Sequence, residues 1–417
     1  MIPKRLIRAF PLLRKAVLKA SCFLTNSEFK NEVGYIDWQE HIQRVLDIGE
    51  EYPRYVKELE AIVEKNGDAP ILVYPSILHW GHSLFQRPHQ ILRELSRRGI
   101  TVFFCNPNPQ FDDVQGFKEL SPQLFLAESV GVLAPLRQKP IWIWLGWTGY
   151  TPILSFFENT RVIYELIDDL QVFAHYCGFM ESEHKRLLKS ADIVLASSDK
   201  LLNDIRPRRR DAILVTNGAA VEDFTDNSPQ LVPDDMKPIV EKGKPIVGYY
   251  GAIARWLDYD LIGETCKALP DMEFVFIGPD HEGASSRLQQ ESNSHWLGPK
   301  PYAELKHYLA CFDVATIPFC IDKVTHAVSP LKLFEYMAGG KPVVTRDLEE
   351  MRKYPQVLRA KDAQEWVEKI REAIPLGKDE KVVQELRRTA EANSWSSKVD
   401  QVLKAMAEID RNVAGGQ

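Results

Sequence analysis

The chain lacks any apolar run near the roughly 18 to 20 residues a membrane-spanning helix requires, and its early apolar stretches are broken by Arg14, Lys15 and Lys19. A spanning or secreted protein is not expected. No excess of positive charge is present either: the formal net charge is −6 over 417 residues, so nothing draws the whole molecule to a polyanion, and no nucleic-acid motif appears. The cysteines Cys22, Cys105, Cys177, Cys266, Cys311 and Cys320 show no CxxC spacing and no clustering with histidine, the pattern of unpaired thiols in a reducing compartment. A cytoplasmic location is the expectation. The chain has no GxGxxG after a first strand and no GxxxxGK[ST], which excludes the standard nicotinamide, flavin and P-loop fingerprints. Nor does it carry a DxD set between a strand and a turn, so no metal site is expected.

What is present is an alternation of short apolar runs with amphipathic helical stretches, the signature of parallel βαβ units. Expected strands include Ile71–Tyr74, Ile100–Phe104, Pro140–Gly146 and Thr160–Glu165, then Ile193–Ser197 and Ile213–Val215. Between the first two, Arg87-Pro88 opens a helix that runs to Arg97 and stops at Gly99. A stretch with little periodicity, Val221 to Lys244, carries Pro229, Pro233 and Pro238 and reads as a linker. A second alternating series follows, from Pro245–Tyr250 through Glu273–Gly278, His295–Leu297 and Val314–Pro318 to Pro342–Thr345. The expected organisation is an N-terminal helical extension over 1–66, one Rossmann-like domain over 67–228, a linker over 229–244, a second Rossmann-like domain over 245–395, and a closing helical segment over 396–417. Ligands of open parallel sheets bind beyond the carboxyl ends of the strands, so two such domains are expected to face each other across a cleft, a layout suited to group transfer.

Residues 1–27 hold six basic residues (Lys4, Arg5, Arg8, Arg14, Lys15, Lys19) and no acid, interleaved with apolar side chains. Two readings stand side by side: a helix packed on the body with a solvated basic face, or a segment lying on an anionic membrane surface.

The most informative segment is Ser329-Pro330-Leu331-Lys332-Leu333-Phe334-Glu335-Tyr336-Met337-Ala338-Gly339-Gly340. Ser329 suits an N-cap, Pro330 the first helical position, and the glycine pair a stop. Lys332 then lies in the first turn, where a cation opposes the helix dipole unless an anion such as a nucleotide diphosphate occupies the helix N-terminus. Glu335 follows at i+3 on the same face, either as a carboxylate for ribose hydroxyls or as half of a plain surface pair worth almost nothing.

Taken in order, Ala191-Asp192-Ile193-Val194, Thr216-Asn217-Gly218-Ala219, Gly248-Tyr249-Tyr250-Gly251, Phe276-Ile277-Gly278-Pro279, Phe312-Asp313-Val314-Ala315 and Leu333 to Pro342 resemble the landmarks of GT-B glycosyltransferases of the family 4 type, over about residues 70 to 397. The resemblance implies a GT-B fold whose last helix, after Trp395, crosses back to the first domain. It implies that Ser329 and Lys332 hold the diphosphate of a nucleotide sugar, UDP-linked by preference, that Glu335 holds the ribose, and that the Gly251 loop approaches the phosphates. Arg255 would supply the loop's cation, and Gly298 and Tyr302 would lie along the base.

Gln86-Arg87-Pro88-His89-Gln90, Asp168-Asp169, and Gly251-Ala252-Ile253 with Trp256 and Asp258 place the chain nearest one branch of that group. The stretch Val162 to Leu170 resembles the xanthan-type glucuronosyltransferase, an inverting enzyme, and that comparison puts Asp168 at the general base; the residue-level alternative is a helix cap. His79, Trp80, His82, Arg87 and Asp169 are the expected acceptor and sugar side. The family's E-x7-E pair is incomplete, with Ala327 eight residues before Glu335, so the stereochemical outcome stays open. The implied activity is hexosyl transfer without a metal, to a polysaccharide or lipid-linked acceptor, at the inner face of the cell membrane. A nucleotide-sugar epimerase and an inactive sugar-nucleotide-binding scaffold are the alternatives.

Overall fold

The computed structural model describes residues 52–415 apart from 83, 108–109, 171–177, 226–230, 282 and 327. The basic segment 1–27 and Ala327 therefore lie outside the described residues. The chain divides into two compact units: the first is formed from the described part of Met1–Trp80 with Leu95–Leu195 and Asn203–Ile213, and the second from Gly81–Glu94, Ala196–Leu202 and Leu214–Gln417.

The first unit opens with α1 (Tyr52–Asn66) and continues with β1 (Ile71–Pro75), α2 (Arg87–Arg97), which straddles the division, β2 (Thr101–Cys105), β3 (Phe117–Ser121), β4 (Leu124–Ala127), β5 (Ile141–Leu145) and β6 (Thr160–Leu166). After α3 (Gly178–Ser190) come β7 (Ile193–Ala196), α4 (Asp199–Ile205) and β8 (Ile213–Leu214). The sheet order is β3-β4-β2-β1-β5-β6-β7-β8. β1 pairs in parallel with β2 and β5, and β3 adds an antiparallel edge to β4. Every residue of β1, β2 and β5 is buried, as expected of parallel strands covered on both faces. Trp142, Trp144 and Trp147 are buried, and the indole N–H of Trp144 donates to Glu165 at 3.0 Å, so these aromatics build core.

The second unit carries β9 (Ile246–Tyr250), α5 (Tyr259–Ala268), β10 (Glu273–Ile277), β11 (Ser294–Trp296), α6 (Leu305–Ala310), β12 (Val314–Ile317), α7 (Leu331–Ala338), β13 (Val343–Arg346), β14 (Leu358–Ala360), α8 (Ala363–Leu376), α9 (Glu380–Ala392) and α10 (Trp395–Gly415). Its strand order is β11-β10-β9-β12-β13-β14, with every neighbouring pair parallel. This is the doubly wound order, and the direction of winding reverses between β9 and β12. A ligand of such a sheet binds beyond the carboxyl ends of those two strands. Within the stretch read as a linker stand two single-turn helices, Val221–Phe224 and Lys237–Val240.

At the amino end of β10 the Glu273 carboxylate is buried with Lys242 at 2.8 Å, Lys244 at 3.2 Å and His295 at 2.6 Å. Burial alone would raise its pKa, but the His295, Lys242 and Lys244 contacts pull it below the ordinary carboxylate value. The stabilisation is thus present above the unfolded pKa and is lost as pH falls through the folded one. Removing the carboxylate leaves two partly exposed ammoniums that water can still solvate, so Glu273→Ala should cost about 2 kcal/mol, less than a fully buried pair. Urea denaturation at pH 7 should show the loss, and it should shrink as the pH is lowered through the acid range.

Candidate active site

β9 is followed at once by Gly251, whose φ of +143° suits glycine alone. A Cβ there would stand 2.7 Å from Cε of Lys332 and 2.8 Å from the Tyr249 hydroxyl. Gly278, at φ +145° just after β10, is held more tightly still, because its Cβ would overlap the Gly251 carbonyl oxygen. The Gly251 amide donates to Ile277 O at 2.8 Å, the Gly278 amide to Gly298 O at 2.9 Å, and the Ile253 amide to Pro279 O at 2.9 Å. The loops after β9 and β10, with Gly298 beyond β11, therefore form one backbone-bonded layer. The sequence marks Gly278 only as a family landmark; its requirement for glycine emerges from this close approach.

α7 supplies the charge. Its N-cap is Pro330 rather than Ser329, with no side-chain cap; the Leu333 amide turns back to Pro330 O at 3.1 Å, which leaves the Leu331 and Lys332 amides without an intrahelical acceptor. Ser329 is buried and its carbonyl accepts a hydrogen bond from Asn217 Nδ2 at 2.6 Å, so it contributes position through its backbone. The helix ends at Gly339, with Gly340 following at φ +71°. Lys332, in the first turn, is half-buried, its ammonium 5.4 Å from the Tyr249 ring centre and 5.1 Å from that of Phe319. Tyr249 lies in β9 and Phe319 follows β12, so the ammonium stands at the point where the sheet's winding reverses. Burial pulls this group down to about 8 despite the opposing pull of Glu335.

One turn on, Glu335 is 2% exposed. Burial pushes its carboxyl up to about 8, against the lowering influence of the Tyr250 hydroxyl and Lys332. The pair is thus an internal one, not the surface pair that i, i+3 spacing also permits. Its Oε1 is buried without a hydrogen-bond partner among the described residues, as are the Tyr250 hydroxyl, the Tyr302 hydroxyl and Gln90 Nε2. A buried polar atom left unpaired costs about 1 to 3 kcal/mol, and such atoms gathered near one carboxylate mark a place for a polar ligand.

Sequence reasoning missed the frame around these atoms. The Tyr302 ring packs at 5.0 Å from Phe85 and 5.9 Å from Phe224. Arg93 bonds Gln90 Oε1 at 2.9 Å and Asp223 at 2.7 Å, and lies over the Phe85 and Tyr302 rings. All of these residues belong to the second unit, including those of Gly81–Glu94. The pairing of Arg93 with Asp223 spans 130 residues, which no local pattern signals.

The remaining expected residues fall elsewhere. Arg255 is exposed and makes no ion pair among the described residues. Arg87 is buried, donating to Asn217 Oδ1 at 3.0 Å and Val215 O at 2.6 Å and lying over Trp395, so its guanidinium is occupied in structure within the second unit. His82 Nδ1 accepts from the Leu84 amide. In the first unit, His79 stacks on Phe111 with centroids 4.2 Å apart, and the Trp80 amide donates to Asp112 at 3.0 Å. Asp168 and Asp169, both half-buried, follow the carboxyl end of β6, where a doubly wound unit presents its working side chains. Among the described residues no cluster of three or more His, Cys, Asp or Glu side chains has the arrangement of a metal site, and no helix is long and apolar enough to cross a membrane.

Residues 244–375 match the family described as Glycosyl transferases group 1. A curated relative, a candidate teichuronic acid biosynthesis glycosyltransferase of Bacillus subtilis (strain 168), TuaH, is 30% identical over 225 residues, 49% of this chain and 55% of that protein. The chain thus spans about half the length of the curated relative it matches. Among solved structures, sucrose-phosphate synthase from Thermosynechococcus elongatus superposes with a TM-score of 0.62 at 15% identity, over 84% of this chain and 100% of that one. HepE of Anabaena in complex with UDP and glucose gives 0.62 at 12% identity, over 81% and 100%. The fold is that of the GT-B glycosyltransferases, as the family landmarks imply.

Proposed function

We propose that this chain is a glycosyltransferase that moves a hexosyl group from a nucleotide-diphosphate sugar, a UDP-sugar by preference, to a polysaccharide or lipid-linked glycan. The observation that carries this reading is the Lys332 ammonium set at the winding reversal, beside the uncapped N-terminus of α7 and against a Gly251 that no side chain may replace. A pyrophosphate placed there would meet free amides, a helix dipole and a cation at once. The orphaned Glu335 Oε1, a hydrogen-bond acceptor when ionised, suits the hydroxyls of a ribose. The group 1 family match over this unit, the curated relative's name and the UDP held by a structural neighbour support the same assignment.

In the proposed reaction the acceptor hydroxyl oxygen attacks the anomeric carbon, and the bond from that carbon to the diphosphate oxygen breaks. Its electron pair leaves with the diphosphate, where Lys332 and the α7 amides stabilise the growing charge in place of a divalent cation. The acceptor proton passes to Asp168 as general base, giving an inverted product. Ser329 and Gly298 serve through their backbone, Tyr302 along the base, and His79, Trp80, His82 and Asp169 on the acceptor side.

Incubation of the purified chain with a panel of UDP- and GDP-sugars, with and without a lipid-linked acceptor, tests the reading. Free UDP appearing together with a lengthened acceptor is expected. An epimerised sugar nucleotide without transfer assigns an epimerase instead, and binding without turnover assigns a scaffold.

The basic residues 1–27 are proposed to hold the enzyme on an anionic membrane surface on the cytoplasmic side. Deletion of 1–27 should abolish flotation with phosphatidylglycerol vesicles, whereas equal flotation with and without the segment overturns this part.

A further inference from the structure

A cavity of about 460 Å³ opens in the second unit at the amino ends of β12 and β13, the edge of the sheet opposite to Gly251 and Lys332. Four cations line it: Lys306, Lys341, Lys378 and Arg387. Two acids share the lining, so the cations outnumber them, and each acid also accepts a hydrogen bond. Asp313 Oδ2 accepts from the Ile246 amide at 2.8 Å, and Glu380 Oε1 accepts from Gln384 at 3.2 Å. Lys378 and Arg387 enter no ion pair among the described residues. Lys341 forms the inner wall: its ammonium donates to Ala310 O at 2.9 Å and Phe312 O at 2.7 Å, which leaves one of its three N–H groups over. Burial lowers its pKa, with Asp313 opposing.

The cavity's shape depends on a glycine. Gly340 sits at φ +71°, and a Cβ on it would stand 2.8 Å from Val383 and 3.4 Å from Arg387 Nε. Only a bare backbone lets α9 approach there, and that approach brings the Arg387 guanidinium over Gly340 beside Lys341. Like charges gathered around one concavity repel unless an anion joins them. Arg387 offers a fork of donors suited to phosphate oxygens, and the lysines add point charges.

We propose that this cavity is a second anion site, which takes a phosphate-bearing small molecule or headgroup and is separate from the donor site at α7.

The probe is inorganic pyrophosphate, titrated by calorimetry and thermal shift into the full chain carrying Lys332→Ala, which removes the donor-site cation. Saturable stabilisation is expected in that background. Adding Arg387→Glu or Lys378→Glu should weaken it by about tenfold or more, since each change removes a charge-assisted contact and introduces repulsion. Both positions are exposed, and the melting temperature of each variant without pyrophosphate verifies its folding. A second arm compares flotation of the wild-type chain and its Arg387→Glu variant with phosphatidylglycerol vesicles. Pyrophosphate binding that depends on Arg387 assigns a free phosphorylated ligand. An Arg387-dependent difference confined to vesicles assigns a lipid headgroup. Pyrophosphate binding that is absent, or that neither charge reversal weakens, together with flotation that Arg387→Glu leaves unchanged, overturns the proposal.

Discussion

Replacing Lys332 with alanine is expected to lower turnover of the sugar nucleotide by about 10²- to 10³-fold, the loss typical of removing one preorganised charge from a developing anion. Steady-state kinetics with the best donor checks this, and wild-type rates in Lys332→Ala would remove the residue from the mechanism. The same lysine sets a pH dependence. Burial brings its pKa to about 8, and only the ammonium attracts a diphosphate. The Lys332 contribution to UDP affinity should therefore fall as the pH rises above about 8, by up to roughly tenfold per unit. The sign for stability is the opposite. A lysine whose folded pKa lies below its unfolded value binds fewer protons when folded, so it weakens the free protein at neutral pH and does so less as the pH rises. Lys332→Met should then raise the melting temperature of the ligand-free chain while abolishing UDP binding. Because the residue is only half-buried, the gain should be about 1 kcal/mol after discounting for solvent.

Asp168→Asn is expected to separate binding from chemistry. The amide keeps the size of the side chain but cannot take a proton, so transfer should drop by about 10² to 10⁴ while the UDP-sugar Kd stays within a factor of two. Isothermal titration gives the second number and acceptor-dependent nucleotide release the first. Equal losses of affinity and rate would point to a disturbed loop after β6, and unchanged transfer would rule Asp168 out as the base. Should Asp169→Asn alone show the separated pattern, the proton belongs to the neighbouring carboxylate.

Much of the second unit was legible from residue order, because punctuation and periodicity agreed there. The Gly339-Gly340 pair ends α7 as its position predicts, and the structure adds Asp258 as the cap of α5, accepting from the Leu261 amide. Arg87-Pro88 and Gly99 bracket α2 as expected. The register of α7 was read one residue early, since a proline before a helix serves equally as N-cap or first turn. The sheet edge β3-β4 escaped notice because Phe117–Ser121 is half-exposed, and its pairing shifts register between Glu119 and Ser121. α9 was passed over although Val382, Leu386 and Ala390 recur on one face, since its charged residues dilute the apolar signal.

Within the site, the charged first turn could be read from spacing. The burial of Glu335, and the company of Gln90, Arg93, Asp223 and Tyr302, could not. Those neighbours are distant in sequence, and only the folded sheet and the return of Gly81–Glu94 to the second unit gather them.

The contact between Gly251 and Gly278 carries a consequence for engineering. A side chain at Gly278 would have to displace the Gly251 carbonyl, and one at Gly251 would run into Lys332 and Tyr249, so neither turn can be reshaped without disturbing the phosphate-facing loop. Libraries that aim to retune sugar choice should leave this doublet untouched and draw their diversity from residues such as Arg255, whose side chain faces open solvent.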